Sequence, residues 1–249
     1  TICNTYDDPQ EEKEIIMKLI EQRVDGFIIS PTVEGRVNTE ILRTLEIPYV
    51  IMDRALQGIE DYDFIGSDNV NAGYLAAKQL IDHGHTNVGF VGWKTEVSYI
   101  EGRKEGYLKA MDEAGLPVNP SWIQTGGLDI DIGYELTQKL LDQSSITSVI
   151  LAQHVLAEGG VQHIRERGME IPKDISLIII GTPRWTRLND PVFTCVKQPE
   201  QQIGEKSATR LIEKIKNMNH PEGFIHEKLS NSILSGHSIK TILSRSDLV

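Results

Sequence analysis

Short apolar runs alternate with amphipathic stretches along the whole chain. Phe27–Ile29, Tyr49–Met52, Phe64–Gly66, Val88–Val91, Ser148–Ala152, Ser176–Ile180 and Phe193–Val196 are brief, mostly β-branched and apolar at successive positions. That is the pattern of parallel strands covered by helices on both faces. Between them, apolar residues recur at spacings of three and four, as at Ile15, Ile16, Leu19 and Ile20. This spacing predicts helices over Pro9–Arg23, Val37–Leu45, Asn69–His83, Tyr99–Ala114, Asp131–Asp142, Leu156–Arg167 and Pro199–Asn217. Gly84, Gly115 and Gly168 follow helices as C′ residues. Repeated β-α units imply an α/β fold built on doubly wound parallel sheet. Ligands of such sheets bind beyond the carboxyl ends of the strands. The residues just past those ends are therefore the first candidates: Ser30-Pro31-Thr32, Asp53-Arg54, Ser67-Asp68-Asn69, Trp93-Lys94, Gln153-His154, Gly181-Thr182-Pro183-Arg184-Trp185 and Lys197-Gln198. They are rich in hydrogen-bonding groups, as a small polar ligand requires.

Composition narrows the function. The chain has 249 residues, 39% hydrophobic and 24% charged, enough for one large domain or two small ones. A net charge of −11 and the lack of any Lys/Arg run argue against this chain holding nucleic acid by itself, because duplex binding works through cations displacing counterions. No apolar run approaches the roughly 20 residues of a membrane span, and no secretory apolar stretch opens the chain. Cys3 and Cys195 lie far apart, which suits a reducing compartment. The chain opens on Thr1, and TICNT reads as the tail of a strand whose beginning is missing. His83-Gly84-His85 is read as a helix end rather than a metal pair, since no third ligand has zinc-like spacing. His154, His163 and His220 stand isolated and are read as non-catalytic, and the acidic run Glu11-Glu12-Lys13-Glu14 as a solvated first helical turn. The dinucleotide fingerprint, the P-loop and the nucleophile elbow are all missing, and no cofactor is expected.

Six segments then carry a family resemblance: RVDGFIISPT (23–32), IPYVIMDR (47–54), IGSDNVNAGYLAAKQLIDHGHTNVGFVG (65–92), EGRKEGYLKAMDEAGLPV (101–118), IRERGMEIPKDISLI (164–178) and LNDPVFTCVKQPEQQIGEKSATRLIEKI (188–215). In register, they resemble the effector-binding domain of the lac/gal repressor family of bacterial transcription regulators. The resemblance implies an α/β fold of two doubly wound parallel-sheet subdomains of periplasmic-binding-protein type, joined by three crossover strands, with the effector between them. It implies an N-terminal subdomain of residues 1–66 plus 199–225, lacking its first strand and helix, and a C-terminal subdomain of residues 67–198 plus 226–249. The crossings are expected at about Gly66-Ser67, near Lys197-Gln198 and near Ile225-His226. The family's helix-turn-helix headpiece is absent from this chain. The resemblance further implies a cytoplasmic homodimer that meets operator DNA through that headpiece, with no membrane partner.

By the same resemblance, Arg103 grips effector hydroxyls, for which a planar guanidinium with five donors is suited. The competing reading is a solvated helix arginine among Glu101, Lys104 and Glu105. Asp53 matches an acidic position that accepts from the effector, against a turn aspartate. Gln198 matches another effector-facing position, against a hinge hydrogen bond. Asp68, or Ser67, is expected to cap the helix that opens the second subdomain, and Ser30 to face the ligand. Four positions depart from the family pattern. Gln153-His154 stand where Asn-Asp is usual, Gly181-Thr182 where Asp-Asp is usual, Leu128 where an aromatic often stacks, and Tyr99 where a small polar residue is usual. Trp185 and Tyr99 are candidate replacement stacking surfaces. The departures point to a less hydroxylated or more anionic ligand, to a protein partner, or to a degenerate pocket. The leading function is a small-molecule sensor, a sugar or sugar derivative being the first expected ligand. The alternatives are a substrate-binding protein of an uptake system, disfavoured by Lys197-Gln198-Pro199, and an enzyme, disfavoured by the lack of a nucleophile–base or metal constellation at any strand end.

Overall fold

The computed structural model describes residues 1–32, 35–56, 58–94, 98–143, 145–217 and 223–242, with side chains 98–100 outside the description. The elements run α1 (Pro9–Glu21), β1 (Phe27–Ile29), α2 (Gly35–Thr44), β2 (Tyr49–Met52), β3 (Asp63–Ser67), α3 (Asn69–Asp82), β4 (Val88–Trp93), α4 (Ser98–Glu113), β5 (Ile123–Gly126), α5 (Ile130–Leu141), β6 (Ser148–Leu151), α6 (His154–Glu166), β7 (Ser176–Ile180), β8 (Thr194–Lys197), α7 (Glu200–Lys216), β9 (His226–Leu229) and β10 (Ser232–Leu234). Each helix expected from the apolar spacing forms within about two residues of its expected ends. Gly84, Gly115 and Gly168 take positive φ past α3, α4 and α6, the conformation that lets the chain leave a helix. Thr1–Thr5 form no regular element.

The chain divides into two units, one built mainly from Thr1–Ser67 and Pro199–Leu229, the other mainly from Asp68–Thr95, Ile100–Gln198 and the segment beginning at Ser230. The chain passes from one unit to the other after Ser67, Gln198 and Leu229. The third passage falls four residues later than expected, because His226–Leu229 pair with β3 and so belong to the first sheet.

The first unit holds a parallel sheet of order β1-β2-β3-β9. Alternate side chains go to opposite faces. Phe27, Ile29, Tyr49, Ile51 and Phe64 meet Ile16 of α1 and Leu42 of α2, whereas Val50 and Ile65 meet Ile203 of α7. Asp63, fully buried at the start of β3, accepts from Arg210 Nε (2.8 Å), from the Ile225 amide (3.1 Å) and from the Lys214 ammonium. Arg210 also donates to the Gly223 carbonyl at 2.7 Å. One carboxylate thus ties α7 and the entry to β9 onto β3.

The second unit holds a six-stranded sheet of order β10-β8-β7-β6-β4-β5, parallel except for β10. Val91, Val149, Leu151, Leu177, Ile179 and Cys195 form one face with α5 and α6; Val88, Phe90, Ile150, Ile178, Ile180 and Val196 form the other with α3 and α4. Both faces are covered, as the continuous apolar runs required.

His85 is fully buried just past α3. Its Nδ1 lies 2.9 Å from Thr147 Oγ1 and its Nε2 3.2 Å from the Lys240 carbonyl. Among the described residues no group of three potential metal ligands gathers, there or elsewhere. Burial pushes the His85 imidazole from 6.5 down to about 4. Above pH 6.5 the ring is neutral folded and unfolded, and stability is complete. As pH falls from 6.5 towards 4 the unfolded chain takes a proton that the folded chain refuses, and up to about 3 kcal/mol is lost. Urea titrations at pH 7 and pH 4.5 are expected to show a larger acid loss for the wild type than for His85→Gln. Equal losses would contradict a neutral buried His85.

Among the described residues no helix is long and apolar enough to cross a membrane.

Candidate functional site

In the second unit the strand order places the switch point beside β4. The chain leaves β4 for its neighbour β5 on one side, then returns to β6 on the other. Doubly wound sheets take ligands at the carboxyl end of such a switch. Arg103 stands there. It is only 3% exposed, and it donates through Nε to Asn69 Oδ1 at 2.9 Å and through Nη1 to the Ala152 carbonyl at 2.5 Å. Ala152 is the first residue past β6, and its own amide donates to Val91 of β4 at 2.8 Å. The solvated-arginine reading is therefore wrong. The charged residues around it in sequence face elsewhere, Glu101 pairing with Lys104 at 2.6 Å.

Two glycines bring this about. A Cβ on Gly73 would fall 1.8 Å from the Arg103 carbonyl oxygen, and one on Gly106 would fall 1.9 Å from that of Val70. Only hydrogen fits at both positions, so α3 and α4 touch backbone to backbone. That contact seats Arg103 against Asn69.

Ser67, Asp68 and Asn69 carry separate tasks. Ser67 ends β3, paired with Leu229. Asp68 is the N-cap of α3 and accepts from the Asn71 amide at 2.9 Å, a bond worth about 1 kcal/mol. Asn69 holds the arginine. Asn231 Nδ2 donates to the Asp68 carbonyl at 2.6 Å, and the Asn231 amide donates to Asn71 Oδ1 at 2.9 Å. Asn69 stood among the strand-end candidates of the sequence without an assigned role, and Asn231 was not among them. Asn69 carried a signal, as the third polar residue after a buried strand; Asn231 carried none.

The other candidates in this unit lie along the same carboxyl edge. Half-buried Gln153 is the N-cap of α6, its Oε1 accepting from the His154 amide at 2.9 Å, and His154 is exposed. Half-buried Thr182 follows β7 and Gly181, whose φ is +108°. Gln198 is half-buried past β8. Leu128 follows β5 and packs on the second unit's core. Trp185 also packs on that core, with its ring edge-on to Phe193 at 5.7 Å and its indole N–H buried without a partner among the described residues. Tyr99, in the first turn of α4, is grouped with the first unit, and its side chain is outside the described residues.

In the first unit, Ser30 is exposed past β1 and Asp53 half-buried past β2. Asp53 takes a left-handed backbone (φ 66°), which aspartate tolerates better than most side chains. Its amide donates to the Ile65 carbonyl at 3.0 Å, which fixes the turn against β3. Glu12, expected on a solvated turn, is buried instead: it accepts from the Thr32 amide (2.7 Å) and from Asn38 Nδ2 (2.8 Å), anchoring the loop after Ser30.

A shallow cavity of about 440 Å³ lies elsewhere, lined by Arg165, Met169, Glu170, Ile171, Asp190 and His237 among others. These residues precede β7 and β8 or follow the antiparallel β10, which places the cavity at the amino ends of the strands, away from Arg103.

Comparison with known proteins agrees with this fold. The sequence signature of periplasmic binding proteins and the sugar-binding domain of the LacI family matches residues 1–229. The HTH-type transcriptional repressor PurR of Pasteurella multocida (strain Pm70) is 31% identical over 242 residues, which covers 93% of this chain and 72% of that protein. A LacI family transcriptional regulator from Enterococcus faecium, solved with bound ribose, superposes with a TM-score of 0.81 at 25% identity, covering 92% of this chain and 85% of that one. A transcription regulator from Lactobacillus plantarum gives 0.83 at 25% identity, covering 94% and 88%.

Proposed function

We propose a function from one premise: the chain belongs to the family of periplasmic binding proteins and LacI-type sugar-binding domains. It is the effector-binding domain of a lac/gal-type regulator, and the relatives named above are regulators rather than enzymes or uptake proteins. In our reading a small polar effector, a sugar or sugar derivative, is taken at the carboxyl ends of the strands. Arg103 is its main anchor, and Gln153, Thr182 and Gln198 are its neutral polar contacts. Binding changes operator affinity through a DNA-binding segment outside this chain, in a cytoplasmic homodimer. The ligand achieves this by binding one conformation better than another, since equal affinity for both would shift nothing.

The observation that carries the reading is Arg103, a guanidinium buried at the switch point with its fork fixed by Asn69 and the Ala152 carbonyl. Thermal melting against sugars, phosphosugars, sugar acids, nucleobases and amino acids tests it. A ligand at about 100 times its dissociation constant is expected to stabilise by about 2.7 kcal/mol. The shift is expected to vanish in Arg103→Lys, which keeps the charge and loses the fork. A shift unchanged in that variant would remove Arg103 from the site.

A further inference from the structure

Of the three passages named above, the third is paired with both of the others. Its first part, β9, runs beside the first passage, with Leu229 in parallel register against Ser67. Its second part, β10, runs beside the second passage, with Ser232 antiparallel against Lys197. Ser230 and Asn231 belong to neither strand. Across that gap Asn231 makes the bonds that a strand ladder would otherwise make. Its Nδ2 donates to the Asp68 carbonyl at 2.6 Å, and its amide donates to Asn71 Oδ1 at 2.9 Å. The Asp68 carbonyl also accepts the Ala72 amide at 2.9 Å, the bond that closes the first turn of α3. A carbonyl oxygen has two lone pairs and can take both donors. That same turn seats Arg103. Asn69 Oδ1 accepts from Arg103 Nε at 2.9 Å. The two helices are so close that a Cβ on Gly102 of α4 would fall 3.2 Å from that of Asn69, and one on Gly106 would fall 1.9 Å from the Val70 carbonyl oxygen. The first turn of α3 is thus shared. Arg103 and its helix hold Asn69 and Val70, and the third passage holds Asp68 and Asn71.

We infer that Asn231 is a positioning residue for Arg103: it ties the course of the third passage to the seat of the guanidinium, so that a change at either is felt at the other. The physical reason is the stiffness of a hydrogen-bonded helical turn. Such a turn has few soft dihedrals, so Asp68 and Asn71 cannot shift with Asn231 while Asn69 between them stays in place. The third passage continues into β9 and the first unit's sheet, so the tie gives an event at Arg103 a route along the chain. The use of that route as a signal rests on the effector reading of Arg103. The tie itself is tested without a ligand, which keeps the two separable.

The experiment is hydrogen exchange followed by nitrogen-15 NMR on the ligand-free chain. It reads Arg103 Nε–H and the Asn231 amide, with the Ile150 and Ile178 amides of the central strands β6 and β7 as the reference for global opening. In Asn231→Ala, Arg103 Nε–H is expected to exchange roughly tenfold faster, the scale of one lost hydrogen bond, while the reference amides keep their rates. In Arg103→Lys the Asn231 amide is expected to accelerate by a similar factor, because coupling between two sites is reciprocal. Asn71 supplies an independent pair of variants, which carries the test should Asn231→Ala fail to fold. Its side chain serves as an acceptor, so Asn71→Asp is expected to leave Arg103 Nε–H as in the wild type, whereas Asn71→Ala is expected to accelerate it. An unchanged Arg103 Nε–H in the alanine variants would overturn the inference. An acceleration matched by Ile150 and Ile178 would also overturn it, since global destabilisation would then account for the whole effect. Either result leaves the effector reading of Arg103 standing. A melting shift that survives Arg103→Lys would instead remove that reading, and with it the signalling use of the tie.

Discussion

Replacing Asp63 by asparagine is expected to destabilise the first unit by about 3–5 kcal/mol, because it removes one partner from a buried ion pair and leaves the other charge uncompensated. Asp63 is fully buried and the Arg210 side chain is only 9% exposed, so the guanidinium has little water to fall back on. Lys214 would lose the same acceptor, as would the Ile225 amide at the entry to β9. The effect is expected to be local. Trp93, Trp122 and Trp185 all belong to the second unit. In urea, far-ultraviolet circular dichroism of Asp63→Asn is therefore expected to begin its loss well before tryptophan fluorescence changes. Glu213→Gln removes a half-exposed carboxylate 3.7 Å from the same arginine and is expected to cost less than about 0.5 kcal/mol. If Asp63→Asn matched the Glu213→Gln variant, the network would not be holding α7 and β9 to β3.

Arg103→Ala is the second large effect, and it acts twice. It strips donors from the Asn69 amide oxygen and the Ala152 carbonyl, both buried, at a cost of about 3 kcal/mol in stability. It also removes the anchor of the proposed effector, for which a loss of roughly a hundredfold in affinity is expected, the scale of charge-assisted hydrogen bonds. The two losses are separable. Asn69→Ala leaves the guanidinium in place and frees its orientation, so it is expected to weaken binding through a misplaced fork while keeping the Ala152 contact. Isothermal titration of Arg103→Ala, Arg103→Lys and Asn69→Ala beside their melting temperatures distinguishes an anchor from a purely structural arginine. A purely structural Arg103 would lower melting temperature in Arg103→Ala without any change in affinity among the variants that remain folded.

The parts of the fold that were legible in the sequence share a physical property. β2, β6 and β7 are central strands buried on both faces, and such burial writes itself as an unbroken apolar run. The three strands that sequence reading missed, β5, β9 and β10, each lie at a sheet edge. His226–Leu229 alternates exposed and half-buried positions, and its sequence HEKL carries three polar residues that a central strand would exclude. Missing it displaced the third passage between units by the length of that strand. The site was legible where topology alone determines position, since residues past parallel strands must share one edge. It was not legible where a contact depends on two distant segments. Nothing near Glu12 announces that Thr32 and Asn38 will desolvate it, and nothing near Arg103 announces the close helix contact at Gly73 and Gly106 that buries it. Trp185 shows the opposite limit. An aromatic in a strand-end loop reads as a stacking surface, yet its ring is partly committed to the core through Phe193.

In the proposed function a ligand enters at the carboxyl ends of the second unit's strands and is held by Arg103. Amide chemical-shift mapping, with the most stabilising compound from the melting panel, tests it most directly. Shifts are expected at Gln153, Gly181, Thr182 and Gln198, with a change at Arg103 Nε. Shifts confined to Met169, Ile171, Asp190 and His237, around the cavity at the opposite ends of the strands, would contradict the claim and move the binding site to the amino-end face.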